Sequence, residues 1–138
     1  EMLRGMGREL VAIDISEGML ARAAAKGAYA ELHRMELGGA LGFPAGSFDG
    51  VASLGTFEYG HAPAGSLDEL LRVTRGGGVL VFSMRREFYE SGQGRFREKM
   101  EDLSARGLWQ PVDRIPFVVR HAGLGAAEGE ADTEMDAR

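Results

Sequence analysis

Residues 10–20 read LVAIDISEGML. Leu10, Val11, Ala12 and Ile13 make a continuous apolar run, the mark of a short strand buried on both faces. The run ends on Asp14. Ser16 can then cap a helix over SEGMLARAAAKG (16–27), with Met19, Leu20, Ala23 and Ala24 on one face and Gly27 as its stop. A carboxylate at the carboxyl end of a buried strand has two uses. It can cap the next helix, or it can accept hydrogen bonds from both hydroxyls of a ribose, which favours an ionised acceptor. Ser16 already supplies a cap, so the ribose reading leads.

The pattern repeats outward. YAELHRMEL (29–37) reads as a second strand, GGALGFPAGS (38–47) as a Gly/Pro loop, and FDGVASLG (48–55) as a third strand. TFEYGHAPAG (56–65) is a loop. SLDELLRVTRGGG (66–78) predicts a helix with a capping box of Ser66 and Glu69 that ends on Gly76. VLVFSMR (79–85) is a fourth apolar strand. GRFREKMEDLSARG (94–107) is a helix with Phe96, Met100 and Leu103 on one face, and LWQPVDRIPFVVR (108–120) has room for one or two short strands. Residues 1–7 read as the last turns of a helix, and 122–138 as a disordered acidic tail after a domain over 1–121. Apolar strands alternating with helices predict an α/β fold with a mostly parallel sheet. In such a sheet the ligand lies beyond the carboxyl ends of the strands, here just past Asp14, Glu36, Leu54 and Met84.

Composition narrows the function classes. A chain of 138 residues can bury one real core. Its net charge of −5 does not favour broad binding to nucleic acid or an anionic membrane. The absence of cysteine excludes a disulfide scaffold and any cysteine-based zinc site or nucleophile, and fits a reducing compartment such as the cytoplasm. No metal site is expected. No apolar run approaches the roughly 20 residues of a membrane span, and the charged start EMLRGMGREL does not read as a signal peptide.

DISEGMLARA (14–23) resembles the D-x-S-x-x-M-L-x-x-A pattern of class I S-adenosylmethionine-dependent methyltransferases, where the acid follows the second strand of the fold. MELGGALGFPAGSFD (35–49) resembles the same family's stretch in which an acid ends the third strand and a proline loop leads to S-F-D. LDELLRVTRGGGVLVF (67–82) resembles its helix, basic glycine turn and fifth strand. The three stretches occur in family order and cover about residues 8–84. A finer resemblance, carried by SFDGVASLGTFEYGHAP (47–63) with its G-H-x-P element Gly60–Pro63 and by ARGLW (105–109), is to the methyltransferase-like subgroup named for the Williams–Beuren region. The family resemblance implies a Rossmann-like fold and S-adenosylmethionine as cofactor. It implies cofactor contacts from Asp14, Ile15, Met19, Glu36, Leu37, Leu54, Gly55 and Phe57. Asp14 would hold the ribose, Glu36 the adenine amino group, and the Leu37 N–H the adenine ring. The resemblance does not name the methyl acceptor; a small molecule is expected.

The chain departs from the family in places. A strand and glycine-rich loop belong roughly 20 residues before the ribose acid, and counting back from Asp14 passes residue 1. Arg4–Gly7 offers a G-x-G, but ahead of a strand instead of after one. The expectation is therefore an incomplete domain, inactive by itself, with an open groove where the first strand belongs and sheet edges that favour association. Gly76 replaces the usual proline, Glu36 stands where Asp is commoner, and the final antiparallel strand has no clear counterpart. His61 is the best-placed general base; its other reading is a residue that only holds its loop. Arg85 and Arg86 can hold an anionic acceptor or form a solvated face. His33, His121, Trp109 and Phe117 read as structural. Two further readings stay open: a nucleotide-linked oxidoreductase that uses Asp14 for an adenosine ribose, and a non-catalytic module that pairs with a related subunit.

Overall fold

The computed structural model describes residues 8–116. Four strands and four helices follow in the order β1 (Val11–Asp14), α1 (Glu17–Ala25), β2 (Glu31–Arg34), β3 (Phe48–Phe57), α2 (Ser66–Val73), β4 (Thr74–Met84), α3 (Arg86–Glu90) and α4 (Phe96–Ala105). β1 pairs parallel with β2, Asp14 opposite Arg34, and β3 pairs parallel with β4, Val51 opposite Leu80. The architecture is the α/β, Rossmann-like one expected, with its parallel sheet in two two-stranded pieces. Among the described residues no strand joins β1 to β3, so each piece presents an unpaired edge.

The core lies on one side of β3 and β4. Phe57, Leu67, Leu70, Val73, Phe88, Phe96 and Leu103 are buried there, with Phe57 edge-on to Phe82 at 5.5 Å and tilted against Phe96 at 5.1 Å. Alternation puts Val51, Ser53, Leu80 and Phe82 on this covered face. It leaves Ala52, Leu54, Val79 and Val81 on the other, where Leu54 is 70% and Val79 62% exposed. By contrast α1 buries no residue, although its cap forms as predicted: Ser16 Oγ accepts from the Met19 N–H at 3.3 Å. Its apolar face is only half covered, and Met19 is 51% exposed.

Several expectations are corrected. The capping box does not form. Ser66 is the first helical residue of α2 and not its cap, Gly65 takes the cap position, and Ser66 Oγ is buried with no hydrogen-bond partner among the described residues. Glu69 turns outward from the helix start. It accepts from the Leu41 N–H at 2.6 Å and from Arg72 Nε at 2.7 Å, tying the 38–47 loop to α2. α2 stops at Val73, and its glycines belong to β4, which begins at Thr74. That strand bulges between the Thr74 and Val79 pairings. The backbone packs so closely there that a Cβ on Gly78 would stand 2.7 Å from the Asp49 carbonyl oxygen. β3 runs two residues past its expected end. Residues 107–116 contain no strand, while 117–120, the rest of the stretch read as one or two short strands, lie outside the described residues, and α3 with the 3-10 turn Gln93–Arg95 fills a stretch whose helical signal is too short to read. Trp109 stacks parallel on Phe82, while Phe117, His121, the 1–7 helix end and the 122–138 tail lie outside the described residues.

Candidate functional site

Asp14 closes β1, half-buried, at the rim where a ligand is sought. Its Oδ1 accepts from the Ser16 N–H at 2.8 Å, while Oδ2 has no hydrogen bond within the described residues. A carboxylate offers about four acceptor sites, so one local bond leaves capacity for two hydroxyls. Asp14 thus braces the turn, and Ser16 caps the helix.

Glu36 lies on the same rim, two residues past Arg34, the register partner of Asp14. β2 ends at Arg34, so Glu36 sits in the loop beyond the strand instead of closing it. Its side chain is exposed, and Leu37 beside it is half-buried. The Met35 N–H donates to the Asp14 carbonyl at 3.3 Å and holds the two loop starts together. Ile15 is 56% exposed next to them and offers an apolar surface.

Sequence reasoning missed Arg34. Its Nε donates to the Ile15 carbonyl at 3.2 Å and its Nη1 to Glu17 Oε1 at 2.7 Å, so one side chain from β2 clamps the turn that carries Asp14. The only available signal was its place in HRME, opposite Asp14 once the register is known.

Across the gap, β3 brings Leu54 and Gly55 to the rim. Gly55 takes φ 69°, a left-handed conformation that a side chain resists, and its N–H donates to Ser83 Oγ of β4 at 2.8 Å. Leu54 is turned out to solvent by strand alternation, and the register breaks between Ser53 and Phe57. Phe57, expected beside the cofactor, is fully buried between Phe82 and Phe96. Its side chain belongs to the core, and only its backbone remains near the rim.

The loop after β3 is tied to the segment after β4. Arg85 Nε donates to Glu58 Oε1 at 3.3 Å, and the Tyr59 ring meets Phe88 edge-on at 4.6 Å. His61 is exposed in this loop. Its backbone N–H donates to the Glu58 carbonyl at 3.2 Å, and its ring has no hydrogen-bond partner among the described residues. His33, read as structural, sits in β2 against Glu31 Oε2 at 2.7 Å and edge-on to Phe43.

The rim thus carries an acid with spare acceptor capacity, a second acid beside it, and exposed aliphatic groups at Ile15, Met19 and Leu54.

Residues 1–82 match the family described as "Methyltransferase domain". The chain is also similar to human methyltransferase-like protein 27, with 33% identity over 117 residues that cover 78% of this chain and 46% of that protein. The chain thus spans about half the length of the curated relative it matches. On the parallel α/β pieces, the rim acids and the match over residues 1–82, the chain belongs to the class I methyltransferase family.

Proposed function

We propose that the protein transfers a methyl group from S-adenosylmethionine to a small-molecule acceptor in the cytoplasm, as a member of the subgroup named for the Williams–Beuren region. The observation that carries this reading is Asp14 at the carboxyl end of β1, with Oδ2 free of local bonds and Glu36 on the same rim. In this reading Asp14 holds the ribose hydroxyls, Glu36 accepts from the adenine amino group, and the Leu37 N–H donates to the ring. Ile15, Met19 and Leu54 flank the ring, and Gly55 lets backbone approach without a side chain between. The cofactor, when bound, supplies an activated methyl on a sulfonium. The chain's own work is alignment and exclusion of water, with no protein nucleophile required. His61, exposed in the loop after β3, would take a proton where the acceptor has one to lose.

The same reading makes residues 1–138 part of a larger site. The unpaired edges of β1 and β3 are where a further parallel strand would join the two sheet pieces, and its loop would hold the amino-acid end of the cofactor. The test is calorimetric titration of S-adenosylhomocysteine into the full-length protein. Binding that Asp14→Asn weakens supports the assignment. Binding of a reduced nicotinamide nucleotide in its place would overturn it in favour of redox chemistry.

A further inference from the structure

The rim beyond β4 holds an arrangement that the cofactor does not use. Tyr89, on α3, is half-buried beside Phe88, the residue that packs against Tyr59 of the loop after β3. Two guanidinium groups rest on the Tyr89 ring: the Cζ of Arg97 lies 5.0 Å from its centre and that of Arg114 5.2 Å. Arg114 Nη2 also donates to the Tyr89 hydroxyl at 3.3 Å. Arg97 comes from α4. Arg114 comes from the segment after it, which includes Trp109, whose Nε1 donates to Ser104 Oγ at 2.8 Å while its ring stacks on Phe82 of β4. Three separate elements thus converge on one aromatic ring.

These two arginines, like Arg86 beside them, differ from the paired arginines nearby. Arg72, Arg85, Arg95 and Arg106 each have a carboxylate within ion-pair distance. Arg97 and Arg114 have none among the described residues, although the chain as a whole is acidic. A guanidinium resting on an aromatic ring is oriented, yet it keeps hydrogen-bonding edges that an ion pair would occupy. Such a planar fork matches the two oxygens of a carboxylate or phosphate. Position decides what the anion is. The ribose and adenine acids sit at the ends of β1 and β2. An acceptor must meet the methyl from the remaining side, where the loops after β3 and β4 stand.

We propose that Tyr89, Arg97 and Arg114 form the anion-recognising wall of the acceptor site, so that the methyl acceptor carries a carboxylate or phosphate group. The inference rests on the methyl-transfer reading above. Arg86, at the start of the same short helix, adds positive charge on this side.

The test titrates succinate and, separately, inorganic phosphate into the full-length protein at low salt with S-adenosylhomocysteine present. One of the two probes is expected to bind, and which one binds identifies the acceptor's anionic group. Arg97→Gln and Arg114→Gln should each weaken that binding about tenfold, the scale of a lost charge-assisted hydrogen bond. Arg114→Lys should weaken it less, and the exposed Arg22→Gln on α1 should leave it unchanged. All three arginines are exposed, and the melting temperature of each variant checks that it still folds. Probe binding that is equal in wild type and both glutamine variants overturns the proposal, as does binding of neither probe while S-adenosylhomocysteine binds. Failure of S-adenosylhomocysteine to bind tells against the cofactor reading instead, and the probe titrations then still report on the arginine pair.

Discussion

Asp14 Oδ1 accepts from the Ser16 N–H at 2.8 Å, while Ser16 Oγ accepts from the Met19 N–H at 3.3 Å. The acid braces the turn and the serine caps the helix, in series. This separates two consequences of changing Asp14. Asparagine keeps an oxygen for the Ser16 N–H but loses the charge that favours ribose hydroxyls. Asp14→Asn is therefore expected to melt near wild type and to bind S-adenosylhomocysteine more weakly. Asp14→Ala removes the acceptor altogether and should cost about 1.5–3 kcal/mol of binding, as for hydrogen bonds to a charged group. Calorimetry on the full-length protein decides. Unchanged affinity in Asp14→Ala would remove the ribose assignment.

Glu36 presents a gentler case. It stands in the loop after β2 and is exposed, so the rest of the fold restrains it less than Asp14. Glu36→Gln retains one carbonyl acceptor for the adenine amino group. We expect it to weaken S-adenosylhomocysteine binding by less than Asp14→Ala does, within about 1 kcal/mol. A larger loss than in Asp14→Ala would reverse the order of importance along the rim.

The legible parts of this molecule were those with local causes. Apolar runs marked β1 and β4, and Ser16 and Gly27 bounded the first helix through their own side-chain chemistry and backbone freedom. What was misread depends on partners distant in sequence. Ser66 and Glu69 have the spacing of a capping box, but Leu41 and Arg72 compete for the Glu69 carboxylate and win it. The glycines at 76–78 looked like a helix stop, yet β3 draws them into a strand whose close packing at Asp49 excludes a Cβ at Gly78. Phe57 followed the cofactor pattern in sequence, yet strand alternation puts it on the covered face with Val51 and Ser53 and sends it into the core. Arg34, Arg97 and Arg114 carried no periodic signal at all. Their roles appear only once the register and the Tyr89 ring are placed.

The Glu69 carboxylate makes stability depend on acid. Its hydrogen bond from Arg72 holds its pKa below the ordinary 4.5, aided by the Leu41 N–H and opposed by burial. A carboxyl group with a depressed native pKa stabilises the fold above its unfolded value, and that contribution fades as pH falls through the lowered native value. Glu69→Ala also leaves the buried Leu41 N–H without its acceptor, at a cost of about 1–3 kcal/mol. The melting temperature of Glu69→Gln is expected to lie below wild type at neutral pH. The gap between the two should narrow once the pH drops below 4.5. A gap that stays constant into strong acid would show that the ion pair contributes nothing to the fold.

Gly78 tests the β3–β4 junction without touching the rim. A Cβ there would meet the Asp49 and Arg75 carbonyl oxygens and Thr74 Cγ2, all within 2.8 Å. Two of those three neighbours are backbone atoms that cannot swing aside. Gly78→Ala should therefore destabilise by about 1–3 kcal/mol through overpacking. Gly76→Ala, with open space around its Cβ position, should change little. Equal melting temperatures for both variants would mean that the bulge relaxes freely.

The two sheet pieces lead to the last prediction. β1 and β3 each leave one ladder edge unpaired among the described residues, and α1 buries no side chain. The half that carries Asp14 and Glu36 is thus the less well packed, while the buried core gathers around β3, β4, α2 and α4. Ligand affinity suffers where a site must be ordered on binding, because the free energy of ordering is subtracted from that of the interactions formed. In the proposed reading the rim acids would reach only the adenosine end of the cofactor, and binding energy from its remote parts is what keeps a reacting methyl in line. Residues 1–138 are expected to bind S-adenosylhomocysteine at least about tenfold more weakly than a version extended by a strand and glycine-rich loop that joins β1 to β3, and to transfer no measurable methyl. Hydrogen exchange should show β1 and β2 opening far more readily in the short chain than β3 and β4, since local opening is easiest where few apolar groups are buried. Equal affinity in the two proteins, with β1 protected as well as β4, would show that the rim is already complete without a strand between the pieces.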